Sequence, residues 1–196
     1  KTGKPLKRNT IQSGNHDGSL VGATLNLQIE NGKDPTRPNY WIEAGASHTC
    51  ALDDEGVKCW GYNRLEALDV PVLTEPLAVS IGQYHSCAID DGGVKCWGAP
   101  ELPIGQSQIP VFSNPVKLSV GLEHACALDD EGVKCWGDNS NGQIDVPDLS
   151  NPSNISAGDN HTCALDDQGV KCWGDNTYGQ LGQGDNNNRG ASCVGW

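Results

Sequence analysis

A fourteen-residue stretch occurs four times in this chain of 196 residues, and that repetition constrains the fold more than any local preference does. The copies run from His48 to Gly61, His85 to Gly98, His124 to Gly137 and His161 to Gly174. Each reads H-x-C-A-L/I-D-D-x-G-V-K-C-W-G. The first cysteines of successive copies lie 37, 39 and 37 residues apart, so the unit is a repeat of about 38 residues.

One copy reads as a β-hairpin. In the first, Cys50, Leu52, Val57 and Cys59 alternate with Ala51 and Lys58, the two-residue period of a strand. Asp53-Asp54-Glu55-Gly56 joins the two runs, with glycine where a tight turn needs a positive φ. If Leu52 pairs with Val57, then Ala51 faces Lys58 and Cys50 faces Cys59. Opposed residues in an antiparallel pair have Cα atoms roughly 4.5–5.5 Å apart, within reach of a disulfide. The expected bonds are Cys50–Cys59, Cys87–Cys96, Cys126–Cys135 and Cys163–Cys172. Each closes a short loop and contributes about 2–3 kcal/mol in the chain-entropy model. With one Phe and no Met in the whole chain, such staples matter. Zinc is the weaker reading of His48, Cys50 and Cys59, because structural zinc takes four ligands with closely paired cysteines. The repeated histidine is expected to pack or to cap a turn.

Charge divides the chain. Residues 1–40 hold six basic and three acidic residues, a balance of +3, whereas the remainder holds seven basic and 22 acidic, a balance of −15. An acidic body lacks the basic face that phosphate contacts require, which excludes nucleic acid as the expected partner. Nine cysteines in regular pairs indicate an oxidising compartment. A chain that begins at Lys1 and contains no Met fits a mature secreted or cell-surface protein with its leader removed. No apolar run approaches the ~20 residues of a membrane helix, so insertion into a membrane is not expected. Asn154-Ile155-Ser156 and Asn160-His161-Thr162 are sequons, which makes Asn154 and Asn160 possible glycosylation sites.

The organisation follows. Residues 1–40 read as an extended arm with capping strands, Ser19–Glu30 alternating in part and Asn31-Gly32 marking a turn. Residues 41–183 hold four repeats, about 41–79, 80–118, 119–155 and 156–183; residues 184–196 are a loop and a terminal strand. Each repeat opens with a small-residue strand ending in glycine, such as Ser119-Val120-Gly121, continues with the hairpin, and leaves through a Gly/Asn/Pro-rich connection. Three or four short strands per repeat suit a β-propeller blade. The fold class is therefore all-β: a propeller-like array of four short disulfide-stapled repeats, partial or open, behind an extended N-terminal segment.

The order W-G-x-N-x-x-G-Q, then a small-residue glycine, then the histidine hairpin, resembles the repeats of the regulator of chromosome condensation family. Trp173-Gly174-Asp175-Asn176-Thr177-Tyr178-Gly179-Gln180 carries the likeness most fully, and the resemblance spans about Trp41–Gln183. The short repeat is similar to the compact blades of secreted propeller-type β-lactamase inhibitor proteins. The resemblance implies a β-propeller whose face or loops bind another protein. Paired cysteines at strand positions suit a secreted branch rather than a nuclear nucleotide-exchange factor. Rings of this family close with about seven blades, so four repeats imply only an arc: either the chain is part of a longer product, or the arc closes with help from residues 1–40, or its open ends pair with other subunits.

No catalytic motif stands out. The four histidines are equivalent by repetition, whereas an active site is one asymmetric constellation. The Asp-Asp pairs are expected to be solvated turn formers at hairpin tips. No cofactor is expected; calcium at those tips is the one candidate, without EF-hand spacing. Two functions remain. The first is a non-enzymatic module binding a protein through Tyr62, Tyr84 and Tyr178, since Trp60, Trp97, Trp136 and Trp173 are better used between blades. The second is a structural subunit of an extracellular homo-polymer, joined by strand addition through residues 1–40. Cys193, the ninth cysteine, is a free thiol, a bond to another chain, or a buried cysteine left without its partner.

Overall fold

The computed structural model describes residues 41–99 and 108–190. The arm, its expected strand at 19–30, Cys193 and the terminal strand at 191–196 lie outside the described residues.

Among the described residues, twelve strands form four antiparallel sheets of three. The first sheet is β1 (Trp41–Ala44), β2 (His48–Asp53) and β3 (Gly56–Gly61). The second is β4 (Ala78–Ile81), β5 (Ser86–Asp90) and β6 (Gly93–Trp97). The third is β7 (Lys117–Val120), β8 (His124–Asp129) and β9 (Gly132–Gly137), and the fourth β10 (Asn154–Ala157), β11 (His161–Asp166) and β12 (Gly169–Gly174). Strand order follows the chain in every sheet, and the first strands of successive sheets lie side by side. That is the arrangement of propeller blades.

The hairpin register is the one the alternation requires. Leu52 lies opposite Val57, Ala51 opposite Lys58 and Cys50 opposite Cys59. The tip glycines Gly56, Gly93, Gly132 and Gly169 have φ of +112°, +110°, +121° and +118°, a region that only glycine enters without strain. All four hairpin disulfides form, with Cα–Cα distances of 4.0–4.1 Å. The sulfurs of Cys50 and Cys59 are thereby unavailable to a metal.

The core lies between sheets. One face of each sheet packs on the opposite face of the next. Cys50 and Leu52 pack on Val79, Ile81, Ala88 and Trp97; Cys87, Ile89 and Val94 pack on Val120, Ala125, Ala127 and Trp136. Cys126 and Leu128 pack on Ile155, Ala164 and Trp173 in turn. A sheet with neighbours on both sides buries both faces, which is why every residue of β5 and of β8 is buried. The alternating pattern therefore marks two different packing faces rather than an inside and an outside.

Polar groups repeat across the same contacts. The Ile81 N–H donates to Glu43 Oε2 (3.0 Å), the Val120 N–H to Ser80 Oγ (3.2 Å) and the Ala157 N–H to Ser119 Oγ (2.8 Å). Gly45, Gly82 and Gly121 line the same seam. A Cβ on Gly45 would stand 2.8 Å from the Gly82 carbonyl oxygen, and one on Gly82 would stand 2.7 Å from the His85 ring. Close approach, not backbone conformation, selects glycine at these three positions.

The hairpin tips correct one expectation. Asp90, Asp129 and Asp166 are buried, not solvated. Asp129 Oδ1 accepts the Glu131 N–H (2.8 Å), while Oδ2 accepts the Ser113 N–H (2.8 Å) and the Lys134 ammonium (2.9 Å). Asp90 repeats this with Gly92, Thr74 and Lys95, and Asp166 with Gln168, Ser150 and Lys171. Each clamps its tip to the segment sixteen residues upstream. A buried carboxylate is tolerated because its oxygens are satisfied.

Candidate interaction surface

The first strand of each sheet ends, the second begins and the third ends on the same side, so the connections that follow Trp-Gly gather at one end of the array. Two of these connections keep the W-G-D-N-x-x-G-Q order, and their polar residues build the loop. Asp138 accepts the Ser140 hydroxyl (2.6 Å) and the Gln143 amide (2.7 Å), and Asn139 Oδ1 accepts the Ile144 N–H (3.2 Å). Asp175 accepts the Thr177 hydroxyl (2.6 Å) and the Gln180 amide (2.8 Å), and the buried Asn176 accepts the Leu181 N–H (2.9 Å). Asn63 plays the same part for Leu68 in the first repeat (2.9 Å).

Electrostatics follow from these bonds. The Thr177 hydroxyl and N–H hold the Asp175 carboxyl below the usual carboxylate range. Burial raises that of Asp138, but Ser140 and Gln143 more than offset it and the carboxyl is also lowered. Both are ionised at neutral pH. Glu66, Asp69, Glu123, Asp145 and Asp159 stand at the same end, and of its two arginines Arg189 is paired with Asp185 (2.6 Å). The loop end is acidic.

The three tyrosines named from sequence all lie at this end. Tyr178 is 89% exposed although its N–H is fixed to Gln180 Oε1 (2.8 Å). Tyr62 is 63% exposed, with its N–H on the Ser47 carbonyl (2.9 Å). Tyr84 is half-buried, and the Arg64 guanidinium sits 5.1 Å from its ring centre. Rigid backbone with an exposed ring suits a binding anchor, because little side-chain entropy remains to be lost. Trp97, Trp136 and Trp173 are buried between sheets, and Trp60 of the first sheet is half-buried. Asn154 is exposed at the start of β10 and Asn160 is half-buried.

The repeated histidines face the seam. His48 Nε2 meets Ser86 Oγ at 2.8 Å, and His124 Nε2 meets Thr162 Oγ1 at 2.9 Å. Each reaches from one sheet to the residue after the histidine in the next. For His85 the equivalent position in the next sheet is Ala125, which has no hydroxyl, and both ring nitrogens of His85 are buried without a partner. Burial pushes the His85 imidazole down to about 4, with repulsion from His124 and His48 adding to it, and pushes His124 to about 4 as well. A serine beside a histidine invites comparison with a nucleophile and its base. His48 and Ser86 are both buried between packed sheets, leaving no space for a substrate.

A profile of the regulator of chromosome condensation (RCC1) repeat matches residues 42–65, 116–143 and 153–180. The chain carries RCC1-type repeats. The matches fall on the first, third and fourth sheets; in the second repeat the sequence after Trp97 is Gly98-Ala99-Pro100, without the G-x-N-x-x-G-Q order. Among solved structures, yeast RCC1 (Prp20) bound to Kap60 is similar at 15% identity and a TM-score of 0.67, covering 82% of this chain and 50% of that one. Human WBSCR16 is similar at 19% identity and 0.67, covering 86% and 56%. The CRINKLY WD40 ectodomain of the Arabidopsis thaliana receptor kinase ACR4 is similar at 26% identity and 0.56, covering 70% and 51%. The chain spans about half the length of the solved structures it matches. No curated protein sequence matches it.

Sequence reasoning missed Ser86, Thr162 and the buried Asp90, Asp129 and Asp166 of the last three hairpins. The signal for the first two was present: the residue after the motif histidine is Thr49, Ser86, Ala125 and Thr162, three of them bearing a hydroxyl.

Proposed function

We propose that this chain is a non-enzymatic, secreted or cell-surface RCC1-repeat module that binds a protein partner through its loop end. The observation that carries this reading is the pair of exposed tyrosines, Tyr62 and Tyr178, on hydrogen-bonded loops within an acidic surface. Aromatic anchors on pre-ordered loops dominate interface energies, and a negative surface steers a basic partner toward them. The four disulfides support an oxidising location, as does the likeness to a receptor ectodomain. A propeller of the same fold has been solved bound to another protein.

The test uses the immobilised chain against a panel of basic and acidic extracellular proteins. A basic partner should be retained, its binding should weaken as salt rises, and the double variant Tyr62→Ala/Tyr178→Ala should release it. Equal retention by the original and the double variant would place binding elsewhere.

A further inference from the structure

The two end sheets carry the two halves of the contact that the array makes three times internally. On the outer face of the fourth sheet, Leu165 is 44% and Val170 40% exposed. Their counterparts Leu52, Ile89 and Leu128 are 5%, 1% and 5% exposed, because the next sheet covers them. On the outer face of the first sheet, Ile42 is 52% exposed and Trp60 half-buried, where Val79 and Trp97 are buried by the sheet before them.

The polar elements of the contact are divided in the same way. His161 has no following sheet among the described residues to supply the hydroxyl that His48 and His124 receive, and Thr49 stands where Ser86 and Thr162 offer theirs. Gly82 and Gly121 each have the carbonyl of the next glycine as their nearest neighbour, whereas the three atoms nearest to Gly158 all belong to the His161 ring. Ser156, which matches the Ser80 and Ser119 that bond the following sheet, is exposed.

We propose that the outer face of the fourth sheet docks on the outer face of the first sheet of a second copy of this chain, reproducing the internal sheet-to-sheet contact. In the docked pair Leu165 and Val170 cover Ile42 and Trp60, and Thr49 bonds His161. The occupant follows from continuity: this chain presents both halves at once, so a copy is complementary to itself head to tail. Two copies align eight sheets, within the range of closed propellers, and if the rotation does not close, the same contact makes an open stack. The contact uses sheet faces, not the tyrosine-bearing loop end, so it stands or falls apart from the binding reading above.

Sedimentation velocity over a concentration series tests it. The chain should move from its 20.8 kDa mass to twice that mass or a larger head-to-tail series. Leu165→Asp and Ile42→Asp should each raise the association midpoint at least about thirtyfold, as loss of a central apolar anchor does. Mixed together, the two variants should form a heterodimer, because one intact face of each survives. Thr49→Val, which keeps shape and apolarity, should raise the midpoint about fivefold, the worth of one hydrogen bond. Circular dichroism of the tryptophans checks that each variant is folded; all three positions lie on an outer face. A chain that stays at 20.8 kDa throughout overturns the proposal. So does association unchanged by Leu165→Asp, a mixture that fails to pair, or a Thr49→Val variant that associates as well as the original.

Discussion

His85 lacks what its equivalents have, and Ala125→Ser should supply it. At two of the three internal sheet contacts a histidine meets a hydroxyl at 2.8 or 2.9 Å; at the third the equivalent position is Ala125. Room for an oxygen is indicated by the equivalent sites, where Ser86 Oγ and Thr162 Oγ1 lie 3.7 and 3.8 Å from Cys50 and Cys126 Sγ. Serine adds one atom to a site that already places the Cβ. The new bond replaces an unpaired buried nitrogen, so the gain is about 1 kcal/mol net of desolvating the hydroxyl. For a domain of this size that raises Tm by roughly 2–4 °C. The mirror experiment is Ser86→Ala, which strips His48 of its partner and should cost about 1–3 kcal/mol. Both are read by thermal melts at neutral pH with the disulfides intact. If Ala125→Ser melts lower than the original while Ser86→Ala melts the same, the histidine–hydroxyl bond is not what stabilises the seam, and the reasoning fails.

Three further outcomes follow from the same geometry. Stability should fall in acid: the unfolded imidazole titrates near 6.5 and the folded His85 and His124 near 4, so stability is full above pH 6.5 and lost as pH drops toward 4, by about 3 kcal/mol for each, read as a falling urea midpoint. Asp90 and Asp129, also lowered by their lysines and backbone donors against the opposing effect of burial, extend the loss below the carboxylate range. Gly121→Ala should destabilise by about 1–3 kcal/mol in denaturant titration, because its Cβ would collide with the His124 ring and the Gly158 carbonyl. Full reduction should lower Tm sharply, as each hairpin loses about 2–3 kcal/mol, and a thiol assay on the unfolded, unreduced chain should find the eight hairpin cysteines silent.

The hairpin was legible because a two-residue period, a tip glycine and two cysteines nine apart all demand one register, the register observed. The propeller was legible because the hairpin recurs at a nearly constant spacing. The buried aspartates were not. Asp129 looks like any turn aspartate until the Ser113 N–H, sixteen residues upstream, is seen to fold over it, and that contact depends on the path of an irregular segment with no period. The hydroxyl partners of His48 and His124 were hidden for a related reason. Each pair is 38 residues apart and joins different sheets, so the bond exists only once the stacking direction is known. The tyrosines were legible as candidates because they fall outside the repeat, and the structure adds that their loops share one end.

Stacking also fixes where the molecule opens first. In a linear array, stability is the sum of what each sheet contributes and what each contact contributes. Among the described residues four sheets make three contacts, so the second and third sheets are held on both faces and the first and fourth on one. β5 and β8 are buried along their whole length, whereas β1 is largely exposed and β11 alternates. Local opening therefore begins in the end sheets, each held by its own disulfide against complete unravelling. Amide hydrogen exchange on the unassembled chain should show slowest exchange in β5 and β8 and faster exchange in β2 and β11, despite near-identical sequences. Equal protection in all four would mean that each hairpin is stable by itself and that the contacts between sheets contribute little. Head-to-tail docking would erase the difference, because each end sheet would then have a neighbour on both faces.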